Sequence, residues 1–238
     1  MRFLVTRPQP DCRRTADRLR AAGHVADEAP LLVTRETLPD HLDLSGVTAL
    51  AVSSRRTVAV LETHPQIGAL RALPVYSVGD ATAAVCRNAG FADVLSAQGD
   101  VGALADLVLR SQASNDAGVV LYPAAADRAG DLEGRLAAGN VSCRAVSVYR
   151  MDPAGALPPD VLDLLLRGAC DGVLIYSKRT AETLNDLVRF HGLGHIFSGL
   201  QGYALSSQAA APLSGILPLK TAAAPNEDAL LELVLTRS

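Results

Sequence analysis

The sequence predicts an α/β protein of two doubly wound parallel-sheet domains, and three observations carry that expectation. Short apolar runs of strand length alternate with stretches of helical periodicity. The alternation recurs as an internal repeat, four blocks in the same order in each half of the chain. Two strand-like runs, "PLLVTRETLP" and "VSVYRMDPAGALPP", lead into proline as connections between domains do.

The apolar runs fall at 3–6, 49–52, 75–78, 119–122, 172–176 and 203–205. Each ends in a small or polar turn, after which a helical pattern begins. Ser53 or Ser54 stands where an N-cap belongs before "RTVAVLE", and Ser177 does so before "RTAETLNDLV". Gly79-Asp80 and Ser206-Ser207 hold the same place before alanine-rich helices, and Pro212 should interrupt or shorten the second. Strands alternating with helices of this length imply parallel sheets covered on both faces.

The repeat sets Gly23 on Gly139, Val25 on Val141, Ser54 on Ser177, Arg55 on Lys178, Thr57 on Thr180, Gly79 on Ser206 and Leu104 on Leu230. With both proline-bounded runs taken as crossings, the first domain is discontinuous, 1–33 plus 153–238. Residues 38–148 form the inserted domain, and 34–37 and 149–152 are linker strands. Tyr149 then lies on a strand leaving the inserted domain.

With 49% apolar and 20% charged residues, 238 in all, the chain is globular and long enough for one large core or two small ones. Its 22 basic and 25 acidic residues are interspersed, which argues against a nucleic-acid or membrane-surface footprint. Cys12, Cys86, Cys143 and Cys170 are widely spaced and read as small buried thiols, neither a zinc site nor a disulfide framework. The opening "MRFLVTRPQP" is too short for a signal segment and no run reaches membrane length, so a cytoplasmic protein is expected.

Nucleotide, serine-hydrolase, metalloprotease and metal-cluster motifs are absent. His24, His41, His64, His191 and His195 show no pairing and read as surface or loop residues. What remains is a set of helix N-termini after Thr6, Ser53, Gly79, Tyr122, Ser177 and Ser206, with Arg7, Arg55, Lys178 and Arg179 close by. Each offers free amides and the positive end of a helix dipole to a carboxylate or phosphate, about 0.3–1 kcal/mol apiece when exposed. The plainer reading is that these hydroxyls only cap their helices.

The ordered set "FLVTRP", "LAVSSRRTV", "VYSVGDATAAVCRNAGF", "QGDVGALADLV", "VSVYR" and "LIYSKRTAETL" resembles the uroporphyrinogen-III synthase family. The resemblance runs from Arg2 to about Val234, with departures at Ser206-Ser207-Gln208-Ala209-Ala210, where the family often has a G-x-T-T-A pattern, and in "YPAAADRAGDL". It implies two flavodoxin-like domains joined by a two-stranded linker with a cleft between them. It implies a cyclising lyase of tetrapyrrole (heme) biosynthesis that converts hydroxymethylbilane into uroporphyrinogen III, inverting ring D and losing water, with no metal or organic cofactor.

On that resemblance Tyr149 matches the family's tyrosine in its V-Y motif and becomes the general acid for the departing hydroxyl; without it, Tyr149 is a hinge aromatic packed against a linker. Arg7, Ser53, Ser54, Arg55, Gly79, Asp80, Gly99, Ser177, Lys178, Arg179, Ser206 and Ser207 become the candidates for binding the substrate's carboxylates. The implied protein is a cytoplasmic monomer with no nucleic-acid or membrane partner, in transient contact with hydroxymethylbilane synthase. Two other readings stand beside it: a two-domain small-molecule sensor, and a degenerate synthase kept as a regulatory module. A flavodoxin-like redox protein is disfavoured because no phosphate loop follows any strand.

Overall fold

The computed structural model describes residues 1–112, 118–128 and 130–236. In chain order it runs β1 (Arg2–Val5), α1 (Asp11–Ala21), β2 (Val25–Glu28), β3 (Leu32–Glu36), β4 (Val47–Val52), α2 (Arg55–Leu61) and α3 (Ile67–Arg71). There follow β5 (Val75–Ser77), α4 (Asp80–Asn88), β6 (Val94–Ser96), α5 (Val101–Gln112), β7 (Val119–Ala125), α6 (Leu132–Ala138) and β8 (Ser142–Pro153). The remainder is α7 (Pro159–Leu166), β9 (Gly172–Ile175), α8 (Lys178–Phe190), α9 (Gly194–Phe197), β10 (Gln201–Ala204), α10 (Ser207–Ala210), β11 (Leu219–Thr221) and α11 (Glu227–Leu235). The chain divides into two compact units, Met1–Thr34 with Asp152–Ser238 (unit 1) and Arg35–Met151 (unit 2).

Unit 1 carries the sheet β11-β10-β9-β1-β2, its neighbours all parallel. Numbered by their order in the chain these strands read 2-1-3-4-5 from the β2 edge, the flavodoxin-like order. The second sheet is β3-β8-β7-β4-β5-β6, parallel from β8 to β6. It gives the same order if the count begins at β7. The repeats are therefore crossed: the first two strands of each copy complete the sheet begun by the last three strands of the other.

The strands are buried on both faces. Leu4, Val173, Ile175 and Ala204 pack against α7 to α10 on one side of unit 1, while Phe3, Val5, Leu174 and Tyr203 pack against α1 and α11 on the other. In unit 2, Leu50, Val52, Val75 and Leu121 face α2 to α4, and Ala49, Ala51, Tyr76, Val120 and Tyr122 face α5 and α6. This period-2 alternation of apolar side chains on both faces marks interior parallel strands, each buried leucine contributing about 1.5–3 kcal/mol.

Several boundaries differ from the sequence reading. The first repeat block is out by one residue: Arg2 pairs with Val25 as Val119 pairs with Ser142, so Val25 matches Ser142. Gly23 (φ 85) thereby matches Asn140 (φ 60), and asparagine is the non-glycine residue best suited to that left-handed turn. The run at 119–122 continues as strand to Ala125 through Pro123, because β4 pairs with β7 only as far as Leu121 and beyond it β7 is an edge that tolerates proline. Helix α6 consequently starts only at Leu132, and Ala129 of that turn lies outside the described residues. Pro212 does cut its helix short: α10 has four residues and gives way to a 3-10 turn at Ala211–Leu213.

His64 departs from the expected surface position. It is 4% exposed, its Nε2 lies 3.0 Å from the Pro39 carbonyl, and its Nδ1 accepts from Gln66 N. Cys12, Cys86 and Cys170 are buried and Cys143 half-buried, all unbridged. Burial pushes the Cys12 thiol up to about 12 and the others to about 11, which keeps them unreactive.

The fourth block places Asp100 on Asn226, and the two cap α5 and α11 alike: Asp100 Oδ1 accepts from Ala103 N and Asn226 Oδ1 from Ala229 N. Removing the second cap with Asn226→Ala is expected to cost unit 1 about 1 kcal/mol in denaturant unfolding.

Candidate functional site

In open α/β sheets ligands sit beyond the carboxyl ends of the strands, at the point where strand order reverses. In unit 2 that point lies between β7 and β4. Strand β4 ends at Val52, Ser53 and Ser54 make the turn, and α2 begins at Arg55. Ser53 Oγ is 3.0 Å from the hydroxyl of Tyr122, which burial holds above the ordinary phenol range. Ser54 caps α2, its Oγ accepting from Arg56 N at 3.2 Å.

Tyr149 reaches the same turn from β8. Its hydroxyl donates to Ser54 Oγ at 3.3 Å, and the Arg56 guanidinium lies 5.8 Å from its ring centroid. The backbone explains the aim. The β7–β8 register runs Ala124↔Ser147 and then Ala125↔Tyr149, so Val148 is an extra residue, a bulge. Alternation is broken there, and the adjacent side chains of Val148 and Tyr149 join one cluster with Val60 on α2. An unbulged strand would turn the phenol to the other face.

The other turns of unit 2 differ in how open they are. Gly79 begins α4 with extended backbone (φ −162), has no side-chain cap, and a β-carbon there would meet nothing within 4 Å. No side chain caps or crowds that helix start. Asp80 follows as an exposed carboxylate, so toward an anion it offers its amide alone. Gly99 is required by packing, since a β-carbon would lie 2.7 Å from that of Ala103. The start of α5 beyond it already holds an anion: the amides of Ala103 and Gly102 keep the Asp100 carboxyl below the usual range.

In unit 1 the corresponding point lies between β1 and β9. Thr6 Oγ1 donates to Leu174 O at 2.6 Å. Arg7, expected among the substrate ligands, is engaged within the unit: it pairs with Glu227 at 2.9 Å and Asp11 at 3.4 Å, lies 4.4 Å over the Tyr176 ring, and donates to Thr15 Oγ1. Thr15 also bonds Glu227, so the group ties α1, α11 and the turn after β9 together, and burial pushes Tyr176 up to about 12. Ser177 caps α8 by accepting from Thr180 N at 3.1 Å, and Ser206 caps α10 by accepting from Ala209 N at 3.2 Å, with Ser207 as the first helical residue. Lys178 is exposed, 3.7 Å from Glu182, and Arg179 follows it in the first turn.

The two units share one feature of charge. Helices α1, α4, α6, α7 and α11 have an acid in their first turn, as the dipole favours. Helices α2 and α8 have none and open on Arg55-Arg56 and Lys178-Arg179. Cations at that end oppose the helix dipole, so the pattern weakens the helix and strengthens an anion site. Among the described residues no group of three or more His, Cys, Asp or Glu side chains is placed to hold a metal ion, and no helix is long and apolar enough to cross a membrane.

Sequence reasoning missed the Tyr122–Ser53 contact, which joins residues 69 apart and has no local signature. It also missed the caps Asp100, Asn226 and Asp131, the last accepting from Gly134 N. The first two were legible as Asp and Asn in one column of the repeat.

The model of the family described as uroporphyrinogen-III synthase HemD matches residues 13–232. The uroporphyrinogen-III synthetase of Helicobacter pylori 26695 has a similar structure, with a TM-score of 0.66 at 16% identity, covering 100% of this chain and 99% of that one. A mutant uroporphyrinogen III synthase of the extremely thermophilic bacterium Thermus thermophilus gives 0.54 at 15% identity, covering 100% and 98%. At such identities these likenesses are of fold. No curated protein sequence matches the chain.

Proposed function

The chain belongs to the uroporphyrinogen-III synthase family, and on that premise we propose how its residues carry the family's reaction. It is a cyclising lyase of heme biosynthesis whose substrate is hydroxymethylbilane. In our reading Tyr149 gives its phenolic proton to the hydroxymethyl oxygen. The carbon–oxygen bond breaks, water leaves, and an azafulvenium cation remains for attack by the substituted carbon of ring D. That carbon already carries the methylene bridge to ring C, so this older carbon–carbon bond then breaks, leaving an azafulvenium on ring C. Its methylene closes on the unsubstituted α-carbon of ring D, and the proton expelled there restores the phenol. Arg56, over the ring, meets the charge of the phenolate while its proton is away. General-acid help of this kind contributes about 10²–10⁴-fold.

The substrate carries eight carboxylates, and the observation that carries the binding reading is the pair of helix starts of inverted charge, Arg55-Arg56 and Lys178-Arg179. We assign them to carboxylates together with the uncapped helix start at Gly79 and Asp80 and the turns at Ser53, Ser54, Gly99, Ser177, Ser206 and Ser207. Arg7 acts one step away, by holding the turn before α1 to Glu227. Residues 34–37 and 149–152 serve as linker strands, supported by unit boundaries that fall inside β3 and β8. A monomer is supported by the apolar clusters that each unit closes on both sheet faces, and a cytoplasmic setting by four unbridged thiols. Because free hydroxymethylbilane closes by itself to isomer I, brief contact with hydroxymethylbilane synthase would shorten its exposure.

The test is the isomer composition of product formed when the purified protein meets freshly generated hydroxymethylbilane, beside a protein-free control. Predominantly isomer III is expected. Isomer I alone, at the control rate and with folded protein, would overturn the reading.

A further inference from the structure

Among the described residues five side-chain caps reach the third amide of their helix: Asp100 to Ala103, Asp131 to Gly134, Ser177 to Thr180, Ser206 to Ala209 and Asn226 to Ala229. Ser54 differs. It accepts from the second amide, that of Arg56, and from the Tyr149 hydroxyl. The residue whose amide it passes over is Thr57, which is 0% exposed and whose Oγ1 has no hydrogen-bond partner. Buried hydroxyls are nearly always paired, and an orphan beside a reactive group calls for a second state that satisfies it.

That second state is visible in the other copy of the repeat. Ser177 and Thr180 are the counterparts of Ser54 and Thr57, at the same two positions of a helix that follows an equivalent strand. There the serine accepts from the threonine amide at 3.1 Å, and the two hydroxyls lie 2.8 Å apart. Two Ser-x-x-Thr caps thus stand in two arrangements, and what separates them is the tyrosine bonded to one.

We infer that Ser54 is a two-position latch on Tyr149, and that Thr57 is the positioning residue that draws it open. In the structure Ser54 holds the phenolic proton. When the substrate hydroxyl arrives, Ser54 turns to the Thr57 amide and hydroxyl, as Ser177 does to Thr180, and Tyr149 is left to donate to the leaving oxygen. One hydroxyl bond replaces another and the buried orphan is satisfied, so release of the acid is close to balanced. The inference rests on Tyr149 being the acid.

Thr57→Val keeps the shape and removes Oγ1, while Thr57→Ser keeps the oxygen. The valine variant is expected to lower kcat about five- to tenfold, one hydrogen bond's worth, with KM unchanged, and the serine variant to restore most of the rate. Because Thr57→Val deletes an unpaired buried hydroxyl, its thermal midpoint should not fall. In a Tyr149→Phe background the same change should cost nothing further. Equal slowing in both backgrounds, or none while Tyr149→Phe alone is slow, would overturn the latch and leave the acid standing. A Tyr149→Phe enzyme with undiminished kcat would overturn both.

Discussion

Tyr149→Phe is expected to lower kcat about a hundredfold, with KM within about twofold of the parent and isomer III still the product. The split follows from the geometry. The hydroxyl is the only atom removed, and the ring keeps its packing against Val60 and Val148, so the bulged end of β8 holds its shape. Ser54 loses a donor but can take the ordinary cap. Binding, which in our reading belongs to helix-start amides, hydroxyls and cations, keeps every one of those groups. The remaining rate comes from the tendency of an electron-rich pyrrole to expel hydroxide unaided, and positioning of the rings, which sets the isomer, does not depend on the phenol. Initial rates over a range of hydroxymethylbilane concentrations, with chromatographic separation of the isomers, decide the matter. An unchanged kcat would reduce Tyr149 to a packing residue.

The largest expected effect on stability is at Gly172→Ala. The residue opens β9 in the middle of the unit 1 sheet, paired with Phe3 on one side and Gln201 on the other. An added β-carbon would lie 2.8 Å from the Gln201 carbonyl oxygen, 3.0 Å from a Tyr203 ring carbon and 3.3 Å from Phe3. None of these can yield cheaply. The oxygen belongs to a paired strand, and the two rings are locked edge to face at 5.9 Å. We expect a loss of about 2–3 kcal/mol, near the upper end for overpacking. In a thermal scan the transition of unit 1 should fall by roughly 5–10 °C while that of unit 2 stays put. A substitution without effect would mean that β9 can slide on its neighbours.

The parts of the molecule that were legible in the sequence are those governed by local rules. Ser54, Ser177 and Ser206 announce their caps because a hydroxyl before a helical pattern has one common use. The strand and helix order follows from periodicity, and the repeat disclosed that each element has a counterpart. Long-range geometry was not legible. That Arg7 is held by Glu227 depends on α11 lying beside α1, a contact 220 residues apart in sequence. The aim of Tyr149 depends on a single extra residue in β8, which strand patterning does not reveal because two adjacent apolar residues such as Val148 and Tyr149 also occur in strands buried on both faces. The orphaned Thr57 is invisible in a sequence where its counterpart Thr180 looks identical.

The crossed arrangement of the repeats has a consequence for the order in which a ribosome can build this protein. Strands β1 and β2 leave first, but their partner β9 begins only at Gly172, after every strand of unit 2 has been made. At about 5–20 residues per second, the interval from Glu28 to Gly172 is roughly 7–30 s, far longer than hydrophobic collapse requires. During that time unit 2 can close, whereas Phe3, Leu4 and Val5, all fully buried in the finished protein, have only α1 and the β2 region to cover them and lack β9 to β11 and α7 to α11. Strand β1 is therefore the stretch most in need of a chaperone, made before any strand of unit 2 and yet later than that unit to reach its final place.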